Sequence, residues 1–444
     1  MILAESDAKA LVDKVLSFAT ADSTQVSLVG TEQNNIRFAL NSITTNGFQD
    51  DLRLTVTSSL GSRTGAFTIN QLSDKAIREA VQKAEELARL APEDPEFLLP
   101  LGKQTYLSST TFYDSTASAT MTRLAALCKP VVEEAERRKV DSAGYIHTNN
   151  GFSVMATSSG MFIYEKETGV DFTVTARTSN GTGSGWAGNL YHDLDLLDTA
   201  ELGRVAIDKS ILSQNPVTIE PGKYTVILEP SAVADLIGWM LLHFEARSAD
   251  EGRSFLTKEG GTNNLGKKLL GKNVSIYSDP NDTIAPGSVY STDGLPMYRT
   301  NWIENGIVKN LIYSRYWAEK SGVQPIPFPT NVIMTGGKSS VDEMIKSVKK
   351  GILVTRLWYI RDVDPRTLLV TGLTRDGSFL IENGEITKPV KNMRFNESPV
   401  SVLSNIDAMG ESVRARGSEI EEWSFKVPPL LVSGFSFSSV SDAV

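Results

Sequence analysis

The 444-residue sequence predicts an α+β protein, with repeated antiparallel sheet-plus-helix units at the amino end and a β-rich, antiparallel, barrel-like domain at the carboxy end. Three observations carry that class. Leu52, Leu54 and Val56 alternate with Arg53 and Thr55, the pattern of a half-buried antiparallel strand. An order of helix, strands, glycine-bearing bend, aromatic and helix reads twice, at a spacing of about 115–120 residues. Beyond residue 280, tight-turn signals such as Asp376-Gly377 and Glu382-Asn383-Gly384 close hairpins rather than parallel crossovers.

Residues 6–18 form the first amphipathic helix, followed by strand-like runs over 25–29, 35–40, 47–57 and 63–69. Ser73 and Asp74 cap a helix over 75–90 that stops at Ala91-Pro92, because the residue before a proline is pushed out of the helical region. Residues 93–109 read as a proline-bearing linker. A helix over 120–139 and strands over 142–146, 153–157, 161–168 and 170–178 repeat the theme, and a capped helix over 199–213 closes it. The bend from Gly61 to Phe67 lies opposite Gly183-Ser-Gly185-Trp186. Expected boundaries are therefore 1–100 and 101–216 for two α+β units of one amino-terminal domain, and 217–444 for the β-rich domain. The glycines from Asn180 to Trp186 match no P-loop or dinucleotide fingerprint; a hairpin or a peptide-contacting loop is expected.

Residues 224–228 are a short apolar strand. Glu229-Pro230-Ser231 starts a helix, with proline pre-organised for its first turn. Val233, Leu236, Ile237, Met240, Leu241 and Phe244 recur at helical spacing, so one broad face is apolar. Later segments are short strands and turns with one brief helix expected near 341–349.

Composition excludes several classes. With 44 basic and 53 acidic residues the net charge is −9, which argues against non-specific nucleic-acid binding. Cys128 is the single cysteine, so no intrachain disulfide or thiolate-rich metal site can form, and its helical context reads as core. No run approaches the roughly 18–20 apolar residues that span a bilayer. The amino terminus has none of the features of a secretory signal, so a cytoplasmic protein is expected.

Chemistry concentrates after the apolar helix, at His243, Glu245, Arg247, Asp250, Glu251 and Arg253. Of three histidines, His147 and His192 have no metal-ligand neighbour at useful spacing. His243 shares a helix face with Leu236, Trp239, Met240 and, if the helix continues, Asp250; it reads either as a mostly buried structural ring or as a site residue. His243 and Glu245 are the candidate catalytic pair. Glu245 lies two residues on, roughly 200° around a regular helix, so one straight helix cannot aim both at one ion. No second histidine completes a zincin pair, and no nucleophile elbow is present.

The stretch from Leu241 through His243, Phe244 and Glu245 to Ser248 resembles the H-E-x-x-x-H segment of the TldD/PmbA (TldD/TldE) metallopeptidase family. Asp293-Gly-Leu-Pro, Trp302-Ile-Glu-Asn-Gly306, Thr355-Arg-Leu-Trp-Tyr359 and Phe379-Leu-Ile-Glu-Asn-Gly384 resemble it in order along nearly the whole chain. The resemblance implies an α+β amino-terminal region, a β-rich carboxy-terminal domain and a role in proteolysis of peptides and unstructured polypeptides, usually by paired related subunits. In the zinc-bearing subunit two motif histidines and a later cysteine hold the metal, and the glutamate activates water. Here His243 stands at the first position, Phe244 at the glutamate position and Ser248 at the second histidine, with no cysteine after Cys128. Arg253-Ser-Phe-Leu256 is similar to the PmbA/TldE branch, which lacks the zinc motif.

The expected function is therefore the non-zinc subunit of a peptidase complex, with no cofactor in this chain and zinc in a TldD-like partner. Two alternatives stand beside it. One is a self-sufficient hydrolase using Glu245, Asp250 or Glu251 with an unorthodox metal site. The other is a non-enzymatic homodimeric peptide-binding protein. The expected ligand is a peptide or unfolded polypeptide, with no nucleic acid and no membrane.

Overall fold

The computed structural model describes residues 2–420 and 423–441. Its amino-terminal half runs α1 (Glu5–Phe18), β1 (Ser23–Ala39), β2 (Ser42–Leu60), β3 (Arg63–Ile69), α2 (Asp74–Leu90), α3 (Asp114–Ala117), α4 (Met121–Arg138), β4 (Val140–Thr157), β5 (Phe162–Thr178), β6 (Ser184–Tyr191) and α5 (Thr199–Leu212). The six strands make one antiparallel sheet in the order β3-β2-β1-β4-β5-β6. Two like units thus join edge to edge through β1 and β4.

Four of these strands are longer than the sequence pattern implies. The runs read at 25–29 and 35–40 are one strand, β1, and those at 142–146 and 153–157 are one strand, β4. The polar middle misleads because each strand serves two separate cores. Val26 and Leu28 of β1, with Phe152 and Val154 of β4, pack against α1 and α2. Ile36 and Phe38 of β1, with Ile146 of β4, pack against α4 and α5. Polar residues fill the stretch between the two helix pairs, and Asn34 there donates to the Ala119 carbonyl at 3.3 Å. Cys128 lies in the second core, and burial pushes its thiol up to about 12.

The repeated glycine has a steric reason. Gly65 on β3 lies against α2, and a Cβ there would stand 2.2 Å from the Ala88 nitrogen. Gly185 on β6 lies against α5, where a Cβ would stand 2.1 Å from the Ala206 carbonyl oxygen. Each unit therefore seats its closing helix directly on its edge strand.

Side chains alternate across the sheet, and the face opposite the helices is turned to the carboxy-terminal half. Ser153 Oγ accepts from the Tyr290 hydroxyl at 2.7 Å, Glu165 accepts from Ser288 at 2.6 Å, and Asp171 takes both arms of Arg416 at 2.8 and 2.9 Å.

In that half β7 (Gly222–Leu228) sits inside a nine-stranded sheet that curls into a half-barrel. A second, six-stranded sheet includes Ile276–Ser278, Thr300–Glu304, Asn331–Met334 and Ser424–Val427. Between them runs α6 (Pro230–Leu242), with Ala232, Val233, Leu236, Ile237, Met240 and Leu241 all buried in one core with both sheets. It is covered on nearly every side, more completely than a single apolar face implies. Most pairings are antiparallel, but β7 with Lys350–Val354 and Asn331–Met334 with Ser424–Val427 are parallel. The single brief helix expected beyond residue 280 is also corrected. Among the described residues there are three, each with a serine N-cap: the expected one at Val341–Ser347, and two short ones, Arg315–Ser321 and Pro399–Ser404, that the strand pattern around them obscures.

Gly65→Ala and Gly185→Ala should each destabilise the chain by about 1–3 kcal/mol or more, since backbone must shift to admit the methyl group. Gly102→Ala, whose Cβ would meet nothing closer than 3.5 Å, should stay within about 0.5 kcal/mol. Urea unfolding midpoints of the three variants test this.

Candidate functional site

The apolar helix does not continue through the motif. α6 ends at Leu242, His243 is its C-cap, and a five-residue helix, α7 (Ala246–Asp250), begins after Glu245. The three residues at the break go three ways. His243 places Nε2 3.0 Å from Asp362 Oδ1, an oxygen that also accepts from the Trp239 indole at 2.8 Å. Phe244 is fully buried, with its ring 5.9 Å from that of Phe255 and 6.5 Å, edge on, from that of Trp302. Glu245 faces a cavity of about 810 Å³.

One expectation for His243 is thereby corrected. Its partner is Asp362 rather than Asp250, because the helix breaks and the i+7 relation no longer exists. Its ring is mostly buried, with 21% of the side chain accessible. His243 and Glu245 thus stand in different surroundings, and only Glu245 lines the cavity.

Residues 253–257 brace the break. Ser254 Oγ donates to the His243 carbonyl at 3.2 Å, and Thr257 Oγ1 donates to the Ala249 carbonyl at 2.9 Å. The other acids of the stretch are engaged elsewhere. Asp250 accepts from the Trp317 indole and from Asn263, at 2.9 and 2.8 Å. Glu251 accepts from Arg247 and Arg253.

The cavity lies where the two halves meet. Ser27 and Met155 reach it from the amino-terminal sheet; Ser288, Tyr290, Asp293, Tyr313, Phe328 and Trp423 reach it from the carboxy-terminal half. Asp293 comes from the Asp-Gly-Leu-Pro segment, where Gly294 adopts φ +83° and passes so near Met161 that a Cβ would stand 2.8 Å from its sulfur. Phe328 comes from the proline loop, between Pro327 and Pro329. The sequence pattern gives that loop no role; the signal available in it is its density of prolines beside an aromatic. Behind the wall, Glu165 is buried, accepts from Ser288, and is raised above the usual carboxylate range by burial. Burial and then the nearby Glu165 and Glu167 also push the Tyr290 phenol up.

Residues 93–109 are more than a linker. Glu96 accepts from Arg247 at 2.8 Å, the Leu99 carbonyl accepts from Arg315 at 2.6 Å, and Tyr106 donates to the Gly294 carbonyl at 2.8 Å. The segment straps α7 and the Asp293-Gly294 turn from outside.

The glycine-rich bend is a hairpin turn whose amides are already used. Gly181 and Gly183 donate to Thr178, Thr182 donates to Asn180, and Ser184 donates to Ser213. It offers those donors to no phosphate.

One buried carboxylate supports the site from α6. Asp235 is fully buried and accepts from the Ser418 and Glu419 amides and the Ser418 hydroxyl, all at 2.9–3.0 Å. Burial outweighs these donors and lifts its pKa to about 6. Glu419 in turn accepts the Tyr359 amide at 2.7 Å, and Tyr359 holds φ +56°, a conformation costly for a bulky residue.

A zinc ion held as the resemblance implies needs two histidines and a cysteine. With His243 as the first position, the second is Ser248, whose hydroxyl donates to Glu245 at 3.1 Å, and the glutamate position is the core residue Phe244. Aligning the cavity-facing Glu245 with the motif glutamate moves the histidine positions to Phe244 and Ala249, both fully buried and without a donor atom. In neither register do the residues present fit the ion. Among the described residues, no three His, Cys, Asp or Glu side chains group to hold a metal.

A twinned α+β sheet closed by a β-rich half, with one carboxylate of a broken motif helix facing the cavity between them, has the build of a metallopeptidase-related protein. Family models described as PmbA/TldA metallopeptidase domain 1, central domain and C-terminal domain match residues 24–88, 115–214 and 221–439. This chain belongs to the PmbA/TldD family. It is 28% identical over 289 residues to a metalloprotease of Methanothermobacter thermautotrophicus, spanning 59% of this chain and 60% of that one. It is 22% identical over 437 residues to metalloprotease PmbA of Escherichia coli O157:H7, with 94% of each chain covered. The crystal structure of TldE from Thermococcus kodakarensis superposes with a TM-score of 0.85 at 17% identity, covering 97% of this chain and 99% of that one; at that identity the likeness speaks for the fold. Among the described residues no helix is long and apolar enough to cross a membrane.

Asp235 should make stability depend on pH. Its folded pKa of about 6 lies above the ordinary value of 3.8, so its contribution is fully present below pH 3.8 and is lost as pH rises through 6. The stability difference between wild type and Asp235→Asn should shift against the wild type by about 3 kcal/mol between pH 3 and pH 7. Urea titrations of both proteins across that range check the sign and the window; a pH-independent difference contradicts it.

Proposed function

We propose that this chain is the non-zinc, PmbA/TldE-type subunit of a peptidase assembly, contributing cavity wall and binding surface while a zinc-bearing TldD-like relative supplies metal and base. The single observation that carries the reading is the turn at residues 243–245. The family's motif stretch is kept in place and braced, yet the position from which a ligand or base would act is occupied by the buried ring of Phe244, and only Glu245 faces the cavity. Zinc hydrolysis needs a held ion with an open coordination position and a base beside its bound water. A wall residue needs neither. The metalloprotease names of the relatives supply the reaction class, and the cavity, at about 810 Å³, has the size of a short peptide segment.

In this reading Glu245 meets the substrate, and His243 is a positioning residue that ties α6 to the strand Leu357–Asp364 through Asp362. The substrate is a peptide or an unfolded polypeptide, and the working form is a dimer with the zinc-bearing relative. A self-sufficient hydrolase is less well supported, because Asp250 and Glu251 are already engaged by Trp317, Asn263, Arg247 and Arg253.

The purified chain should contain negligible zinc by elemental analysis and should leave fluorescent casein intact. Casein cleavage should follow when a TldD-like relative is added, and a chelator should abolish it. Stoichiometric zinc together with chelator-sensitive cleavage by this chain alone would overturn the proposal.

A further inference from the structure

The cavity has a chemical bias that its size does not explain. Its described lining contains two carboxylates, Glu245 and Asp293, and no lysine, arginine or histidine. Four aromatic residues, Tyr290, Tyr313, Phe328 and Trp423, also line it. A third carboxylate, Glu165, is buried directly behind Ser288 and reaches its hydroxyl at 2.6 Å. Among the described residues, neither lining carboxylate has a cationic partner. Asp293 accepts from the Ser291 hydroxyl at 2.5 Å and Glu245 from the Ser248 hydroxyl at 3.1 Å. Each carboxylate has four acceptor sites, so one hydroxyl leaves capacity for a ligand.

We propose that this cavity selects polypeptide segments bearing an alkylammonium group, either a free amino terminus or a lysine side chain, and seats that group between the Glu245 and Asp293 carboxylates and the aromatic wall. The inference rests on the peptide-binding reading above and adds the substrate class. An alkylammonium has three N–H donors for the carboxylates. Its methylene groups are attracted to aromatic faces together with its charge, and that attraction grows as water is removed. A carboxylate-bearing ligand would meet the opposite: like charges in a confined space with no compensating cation. The prolines flanking Phe328 restrict that part of the wall, so less order is lost on binding than from a flexible loop.

The test uses the full chain and four labelled decapeptides of otherwise uncharged sequence. One has a free amino terminus, one is amino-terminally acetylated, one is acetylated with a single internal lysine, and one carries that lysine acetylated as well. Fluorescence anisotropy should give one or both cationic peptides an affinity about tenfold or more above their neutral counterparts. Which cationic peptide gains identifies the source of the ammonium group. The gain should shrink as salt rises from 50 to 500 mM, a readout on the unaltered protein that no folding defect can mimic. It should also fall to near parity in Glu245→Gln combined with Asp293→Asn, whose far-ultraviolet circular dichroism should match wild type. Phe328→Ala should weaken all four peptides. Equal binding of charged and neutral peptides, with Phe328→Ala weakening both, overturns the charge inference and leaves the peptide cavity standing. Binding of no peptide, or binding untouched by Phe328→Ala, overturns both.

Discussion

The amino-terminal sheet has two faces, and both must be covered. Period-two alternation in β1, β4 and β5 puts Val26, Leu28, Ile36, Phe38 and Phe172 under the helices. The same alternation leaves Ser27, Ser153, Met155, Glu165 and Asp171 on the far side. That face carries hydroxyls, a thioether and carboxylates, so it cannot be buried by a second apolar helical layer without stranding polar groups. What covers it is the carboxy-terminal half, which brings Tyr290, Ser288 and Arg416 as matching partners. The cavity lies in this mixed seam, beside a small apolar cluster of Met155, Met161, Ile163 and Val289.

The break after α6 follows from burial on both sides of the seam. An uninterrupted helix through residue 250 would carry Phe244 and Glu245 round the same cylinder, with successive side chains 100° apart. Phe244 is instead drawn into the core beside Trp302 and Phe255, and the turn at His243 frees Glu245 to face the opposite way. Ser254 bonds the His243 carbonyl at the break, and Thr257 bonds the Ala249 carbonyl in the last turn of α7, as buried helix ends require. A motif stretch that has lost its ligands thus keeps a defined, hydrogen-bonded shape.

Much of this was legible in the sequence, and the failures have physical causes. The class, the twin units and the start of α6 at Pro230 follow from period, recurrence and capping, which are local. The long strands β1 and β4 looked broken because period analysis assumes one core per strand, whereas these strands bridge two. His243 drew attention for its chemistry and its place on the apolar stripe, but extrapolating a helix past its end paired it with Asp250. Its actual partner, Asp362, lies 119 residues away on a bulged strand, and no local pattern encodes that contact. Asp293 was named from its motif without a role, since only the fold brings it and Glu245 to one cavity. The prolines around Phe328 are plain in the sequence, but the aromatic gains meaning only from the cavity it lines.

One short stretch of chain, residues 414–419, ties several parts of the seam together. Arg414, buried and with its pKa lowered to about 10 by burial, donates to the carbonyls of Leu190 and Ile284, one from each half. Arg416 takes Asp171 with two arms. Ser418 and Glu419 lock onto Asp235 of α6, and Ser418 also reaches the Leu357 carbonyl at 2.8 Å. Buried charges of this kind contribute little net stability over well-packed apolar side chains, because desolvation offsets most of the attraction. Their effect is directional. Apolar groups at the same places could slide or rotate against each other with small loss, while a bidentate arginine or a carboxylate with three donors has one satisfied arrangement. The stretch therefore fixes how the sheet, α6 and the strand Leu357–Asp364 stand toward one another, and with them the distance across the cavity. In the proposed role, a chain that offers a shaped wall needs that fixed spacing as much as a catalytic chain needs its ligands.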